Sequence, residues 1–433
     1  MTTPSPDDYN YHELPSSKRA DSKASLVYNA ADISRSSHYE DLVEPHFQEY
    51  AEPAADRSME KKSSLTNFLA QGRYPLEQRI ENKKRGIGRQ KYPFVVWILT
   101  CVMIGVFINE LIVNSRAQGT PVSMKPVVNP MLGPSSDALI NLGARFAPCM
   151  KLVDDIPPAT QFGCLNNTAN PPTRICPLED ICGFGGFHGA SPNQWFRFIV
   201  PIFLHAGFIH IILNMLAQLT LSAQIEREMG STGFFITYFA AGIFGNVLGG
   251  NFSLVGVPSV GASGAIFGTV AVTWIDLFAH WKYQYRPLVL MTIELLIGIA
   301  VGFIPFVDNF DAFCRTHSLR SQVHLGGFLM GLLVGTTFYP VISTTKRHML
   351  IIWFLRIIAI PLAIVLFVVL IRNFYTSNPY AACSWCRYLS CIPTSANNHC
   401  KGYMTSVKDS LWLYANRKQG LTNVNVTDSG SGS

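Results

Sequence analysis

One serine in this chain is flanked by glycines inside an apolar stretch: Gly261-Ala262-Ser263-Gly264-Ala265-Ile266-Phe267-Gly268. Gly261 and Gly264 let backbone come near its hydroxyl. A hydroxyl is a poor nucleophile at its own pKa and needs a base. His324, which opens a later apolar stretch, can take the Ser263 proton and return it to a leaving amine. No Asp or Glu is obviously placed to orient His324, so the pattern predicts a two-residue pair. Phe267, one helical turn after Ser263, is expected to stack on the imidazole. The tetrahedral oxyanion of acyl transfer needs donors. The candidates are the Ser263 backbone N–H, the His210 ring and the Asn214 amide, each typically worth roughly 3 kcal/mol of barrier. His210 and Asn214 are four apart and share one helix face. The structural alternative is plain: small-residue stripes are common in membrane helices, and a histidine or asparagine there can simply bridge neighbours. Polar groups inside an apolar segment are nevertheless costly and mark function by default.

Elements that could position these residues follow from composition. The 433 residues are 48% hydrophobic and only 14% charged, against about 25% charged in soluble domains. The apolar residues fall in long blocks, which predicts an all-α polytopic membrane protein. The first block covers Phe94–Val113, and about 20 apolar residues suffice to cross the hydrocarbon core. The next blocks are 198–223, carrying His205, His210 and Asn214, then 234–249, 261–280, 287–306 and 323–341. A seventh covers 350–371. Ser263 and His324 each start a block of the same direction, so both are expected near one face of the membrane. Gly327, Gly331 and Gly335 give the sixth block a glycine face that can dock on Gly264 and Gly268. Asp276 and Glu294 lie toward the other face and read as structural or snorkelling.

The expected organisation is a disordered cytosolic arm over residues 1–92, a six-helix core over 93–341, a seventh helix over 342–373 and a luminal tail over 374–433. The arm is polar, sustains no apolar period and shows no cleaved signal peptide. It ends in Lys83, Lys84, Arg85, Arg89 and Lys91, a basic flank that places the N-terminus in the cytosol. Arg227, Lys282, Arg286, Lys346 and Arg347 then fall in cytosolic loops. The long first loop, 114–193, holds Cys149, Cys164, Cys176 and Cys182 and the sequon Asn166-Asn167-Thr168. The tail holds Cys383, Cys386, Cys391 and Cys400 and the sequon at Asn425. Two even cysteine sets beside sequons fit disulfides in an oxidising lumen, each set pairing within itself. Cys383-Ser384-Trp385-Cys386 also reads as a metal or redox pair. Cys314 is left over.

These residues in this order resemble the rhomboid family of intramembrane serine proteases. Gly261-Ala262-Ser263-Gly264 matches the family's G-x-S-G, which implies Ser263 as nucleophile. His324 with Gly327 and Gly331 matches H-x-x-G-x-x-x-G and implies the general base and acid. His210 and Asn214 match the pair assigned to the oxyanion hole. His205 matches a further family histidine, Phe267 the aromatic on the catalytic histidine, and Glu226-x-x-x-Gly230 a structural motif. The seventh block fits the eukaryotic six-plus-one form, and Asn129-Pro130-Met131-Leu132-Gly133-Pro134 resembles the secretory-pathway branch. The family's Trp-Arg pair is split here as Trp195-Phe196-Arg197, with Arg197 keeping its offset from His205. About a dozen extra residues, including His317, separate Asp308-Asn309-Phe310 from His324. The resemblance implies cleavage of single-pass membrane proteins in or near their transmembrane helix on the luminal side. The expected partners are those substrates and the lipid bilayer. No metal, cofactor or nucleic acid is expected. A catalytically inactive relative serving as chaperone or trafficking factor is the alternative, and a transporter or channel the more distant one.

Overall fold

The computed structural model describes residues 76–376, apart from 86, 155, 254–255, 284–285, 287, 290, 293–295 and 297–321. The expectations for residues 1–75, most of the fifth block with Glu294, the insert with Cys314 and His317, Cys383, Cys386, Cys391, Cys400 and Asn425 therefore lie outside the described residues.

Within them the chain is mostly helical. Helix α1 spans Leu76–Lys84 and α2 Phe94–Gln118. The first loop carries α3 (Ser136–Asn141), α4 (Ala147–Met150), an antiparallel hairpin of β1 (Gln161–Gly163) and β2 (Ile175–Pro177), and α5 (Leu178–Cys182). Two 3-10 turns, Trp195–Phe198 and Val200–Ile202, lead into α6 (Phe208–Ala217). A π-helical turn, Gln218–Ser222, joins α6 to α7 (Ala223–Met229). Then follow α8 (Ser231–Phe252), α9 (Ser263–Ala279), α10 (Gln322–Phe338) and α11 (Lys346–Phe374). Among the described residues, four helices are long and apolar enough to cross a membrane: α2, the composite Phe208–Met229, α8 and α11. The helices α9 and α10 are apolar but only 17 residues each, about 25 Å.

The second span starts ten residues later than the apolar run does. Pro201 has no N–H for a helix ladder, and its carbonyl accepts the Gly261 N–H at 2.8 Å. The stretch 198–207 is thereby used to hold the segment before Ser263. A second tie is the antiparallel bridge between Arg145 and Ser259, with both backbone hydrogen bonds at 3.0 Å. The chain approaching Ser263 is thus fastened from two sides.

The core has α8, α9 and α10 in mutual contact. Glycines set their separation. A Cβ at Gly327 would land on the Gly264 carbonyl, one at Gly331 would meet Gly268 Cα at 2.5 Å, and one at Gly245 would meet the Val323 carbonyl at 2.6 Å. Only backbones without side chains can approach this closely. Phe234, Tyr238, Ala262, Ala265, Ile266 and Val272 complete a buried cluster with Met103 and Phe107 of α2.

At the end opposite Ser263, α1 docks beneath these helices. Lys83 Nζ lies 2.6 Å from Asp276 Oδ1 and 2.9 Å from Glu228 Oε2. The Tyr339 hydroxyl is 2.5 Å from Glu228 and 2.7 Å from Asp276. His280 Nε2 accepts the Ile342 N–H at 2.9 Å, so its Nδ1 carries the proton toward Asp276 at 2.7 Å. The structural reading of Asp276 acquires a partner here that lies far away in sequence.

Candidate active site

Ser263 is the first residue of α9 and His324 stands in the first turn of α10. The glycine seam draws the two helix starts together, and His324 Nε2 lies 2.9 Å from Ser263 Oγ. The Phe267 ring stacks on the imidazole with centroids 4.4 Å apart and planes 14° apart. Both Ser263 and His324 are half-buried. A base within hydrogen-bond reach of a hydroxyl is the geometry for nucleophilic acyl transfer.

Gly261 adopts φ +126°, a conformation that side chains rarely take. A Cβ there would meet His210 Cε1 at 2.8 Å and Nε2 at 2.9 Å. This glycine therefore lets the strand before Ser263 pass against the His210 ring. His210 Nδ1 accepts the Ala206 N–H at 3.2 Å. A neutral imidazole with Nδ1 accepting carries its proton on Nε2, the atom beside Gly261. Ser263 also begins a helix, where backbone N–H groups lack intrahelical partners and the dipole favours negative charge. A donor ring and a helix N-terminus thus flank the hydroxyl. Asn214 is buried on the same face, and its amide donates to the His210 carbonyl at 3.0 Å.

Other residues singled out from the sequence sit elsewhere. His205 is fully buried, 5.3 Å from the His210 ring, with Nδ1 3.3 Å from the Phe203 carbonyl. Its backbone N–H donates to Glu110 Oε1 at 3.0 Å. Glu110 was not singled out, although a lone carboxylate in the first apolar block was the available signal. Arg197 is a fastener of the first loop. It is fully buried and donates to Gln194 Oε1 and the Ile140 carbonyl at 2.7 Å each, Ala144 at 2.6 Å and Cys182 at 2.5 Å. Trp195, two residues earlier, is 58% exposed. Glu226 accepts the Val95 and Val96 N–H groups at 2.9 and 2.8 Å, capping the orphan donors of α2 from another helix. Gly230, at φ +91°, closes that motif.

In the first loop, Cys149 pairs with Cys182 and Cys164 with Cys176. This set pairs within itself. Asn166 is exposed, while Asn167 is buried and holds the turn through Ala169 and Thr173. Among the described residues no cluster of His, Cys, Asp and Glu could hold a metal ion.

Comparison with known proteins follows this geometry. Residues 192–341 match the family model of the Rhomboid domain. The chain is 33% identical over 383 residues to Rhomboid-type serine protease 2 of Emericella nidulans, covering 73% of each chain. It is 33% identical over 227 residues to RHOMBOID-like protein 1 of Arabidopsis thaliana, covering 47% of this chain and 54% of that one. It is 29% identical over 252 residues to Inactive rhomboid protein 1 of Rattus norvegicus, covering 56% of this chain and 27% of that one. The chain is an integral membrane protein that belongs to the rhomboid family.

Proposed function

We propose that the chain is an intramembrane serine endopeptidase working through a Ser263–His324 dyad. The observation that carries this reading is the 2.9 Å approach of His324 Nε2 to Ser263 Oγ. His324 removes the hydroxyl proton as Oγ attacks the scissile carbonyl. The oxyanion forms between the Ser263 N–H and the His210 Nε2–H, with the Asn214 amide as a further candidate donor. The imidazolium, held under the Phe267 ring, gives its proton to the leaving amine. Water then releases the acyl group by the same steps in reverse. No cofactor enters this chemistry.

The substrates are single-pass membrane proteins cut in or near their transmembrane helix. A helical peptide bond is shielded by its own ladder, so the site favours segments weakened by Gly or Pro. The architecture is six helices plus a seventh, α11. The basic flank before α2 supports a cytosolic N-terminus and a luminal dyad, in a membrane of the secretory pathway. The first-loop disulfides fit that orientation, and exposed Asn166 is its glycan acceptor.

A second reading, a proteolytically silent chaperone or trafficking factor, draws on the similarity to Inactive rhomboid protein 1. The test is cleavage of a helix-weak single-pass substrate in reconstituted vesicles, with Ser263→Ala, His324→Ala and His317→Ala beside wild type. Loss in the first two with activity in the third is expected. Activity surviving in His324→Ala but lost in His317→Ala moves the base elsewhere. An inert wild type that fluorophosphonate does not label at Ser263 favours the silent reading.

A further inference from the structure

At the end of the bundle opposite the dyad, the segment between α1 and α2 folds against the end of α7. It forms a recess of about 310 Å³ lined by Ile87, Gly88, Arg89, Gln90, Lys91 and Arg227. Three of these six carry cations and none carries a carboxylate. The recess is built rather than incidental. Gln90 N–H donates to the Arg227 carbonyl at 3.1 Å, Gln90 Oε1 accepts the Ser231 N–H at 3.0 Å, and Gln90 Nε2 donates to the Tyr92 carbonyl at 2.8 Å. A Cβ at Gly88 would meet the Arg227 carbonyl oxygen at 2.5 Å, so the loop backbone lies directly on α7. Arg227 Nη2 donates to Gln224 at 2.6 Å, while its Nε is buried with no hydrogen-bond partner among the described residues. On α7 itself, Glu226 caps α2 and Glu228 pairs with Lys83. Burial first, and then the Arg89 charge, hold the Arg79 guanidinium below its ordinary value.

Tyr92, Phe94 and Trp97, which follow the lining residue Lys91 in the chain, form a cluster of exposed rings with centroids 5.8–6.0 Å apart. Exposed Tyr and Trp at a helix end mark the headgroup level of a bilayer. Lys91 Nζ lies 5.1 Å from the Tyr92 ring and links the recess to the rings. We propose that this recess binds the phosphate-bearing headgroup of an anionic lipid. Arg227 takes the phosphate oxygens by charge-assisted hydrogen bonds, Lys91 closes the rim, and the acyl chains run down past Tyr92 and Trp97.

The test uses the full chain in detergent micelles, with a fluorescent phosphatidylinositol monophosphate followed by anisotropy. Lys91→Gln/Arg227→Gln is compared with Lys346→Gln/Arg347→Gln, which removes the same charge at the start of α11. The first pair is expected to weaken binding roughly 30-fold, the second only slightly. Soluble inositol phosphate is expected to compete poorly, because it lacks the chains. Equal losses in the two pairs, or no loss in either, overturn the proposal. So does soluble inositol phosphate that binds as tightly as the lipid. Thermal melting checks folding, and the single Lys91→Gln, at an exposed side chain, carries the measurement if Arg227→Gln does not fold. The readout involves no proteolysis, so it stands or falls apart from the dyad.

Discussion

Replacing Gly327 with alanine tests whether the glycine seam sets the dyad. The added Cβ would fall on the Gly264 carbonyl oxygen and meet the carbonyl carbon at 2.7 Å and Cα at 3.1 Å. All three are backbone atoms, so no side-chain rotation relieves the overlap. A carbon–oxygen contact needs about 3.3 Å, which forces α9 and α10 apart by about an ångström at this level. On the same seam, His324 is about one turn from Gly327 and Ser263 adjoins Gly264, and their 2.9 Å separation would pass out of hydrogen-bond reach. A misplacement of about 1 Å can cost about 100-fold in rate, while overpacking a core costs about 1–3 kcal/mol. The expected outcome is a folded protein, modestly less stable, whose Ser263 reacts with fluorophosphonate about 100-fold more slowly. Gly335→Ala is the control. Its Cβ would meet Val272 Cγ2 at 2.7 Å and Ile275 Cδ1 at 2.9 Å, side-chain ends that can move. It should lose stability and keep labelling near the wild-type rate. If folded Gly327→Ala labels like wild type, the seam does not control the dyad and the reasoning fails.

Three further outcomes are expected. Phe267→Leu removes the ring stacked on His324. It should slow labelling and cleavage several-fold, consistent with about 0.5–1.5 kcal/mol per aromatic pair, and an unchanged rate would remove Phe267 from the site. His210→Ala should cut single-turnover cleavage by about 100-fold or more. Asn214→Ala should cost less, because its amide already serves the His210 carbonyl, and the reverse ranking would reassign the oxyanion donors. Cys149→Ser/Cys182→Ser should destabilise by about 2–5 kcal/mol and loosen the Arg197 anchor on the Cys182 carbonyl. Thermal melting reads the first effect, and proteolysis of the first loop the second.

Much of the candidate site was readable because membrane interiors make polar residues conspicuous. Ser263, His324, His210 and Asn214 stand out against apolar neighbours, and the four-residue glycine spacing announces which helix faces meet. Helix starts were less legible. Hydropathy cannot tell the 3-10 turns of 198–202 from α6, since both are apolar, and the Gly261 N–H meets the Pro201 carbonyl only in three dimensions. The Lys83, Glu228, Asp276 and Tyr339 cluster was hidden for another reason. Its members come from four distant segments, and each alone reads as an interfacial charge or ring. Arg197 shows the opposite case. Its offset from His205 kept its position visible, but its four partners belong to the fold of a loop without a simple period.

The π-helical turn at Gln218–Ser222 has a bearing on how this span tolerates change. An α-helix turns about 100° per residue, and a π turn absorbs one residue more than the α ladder would. The half above it must aim His210 at Gly261, and the half below must aim Glu226 at the start of α2. Those two aims are rotational phases of one rod, and the π turn is the shim between them. Gln218 holds the shim through Thr100 at 3.1 Å and Tyr238 at 2.5 Å, and Ser222 through Thr269 at 2.9 Å. Deleting one residue at this turn would return the ladder to plain α with both aims kept, whereas deleting one elsewhere in the span, though it shortens the rod by only about 1.5 Å, would twist one half against the other by about 100°. Length is forgiving in this helix, but angular register is not.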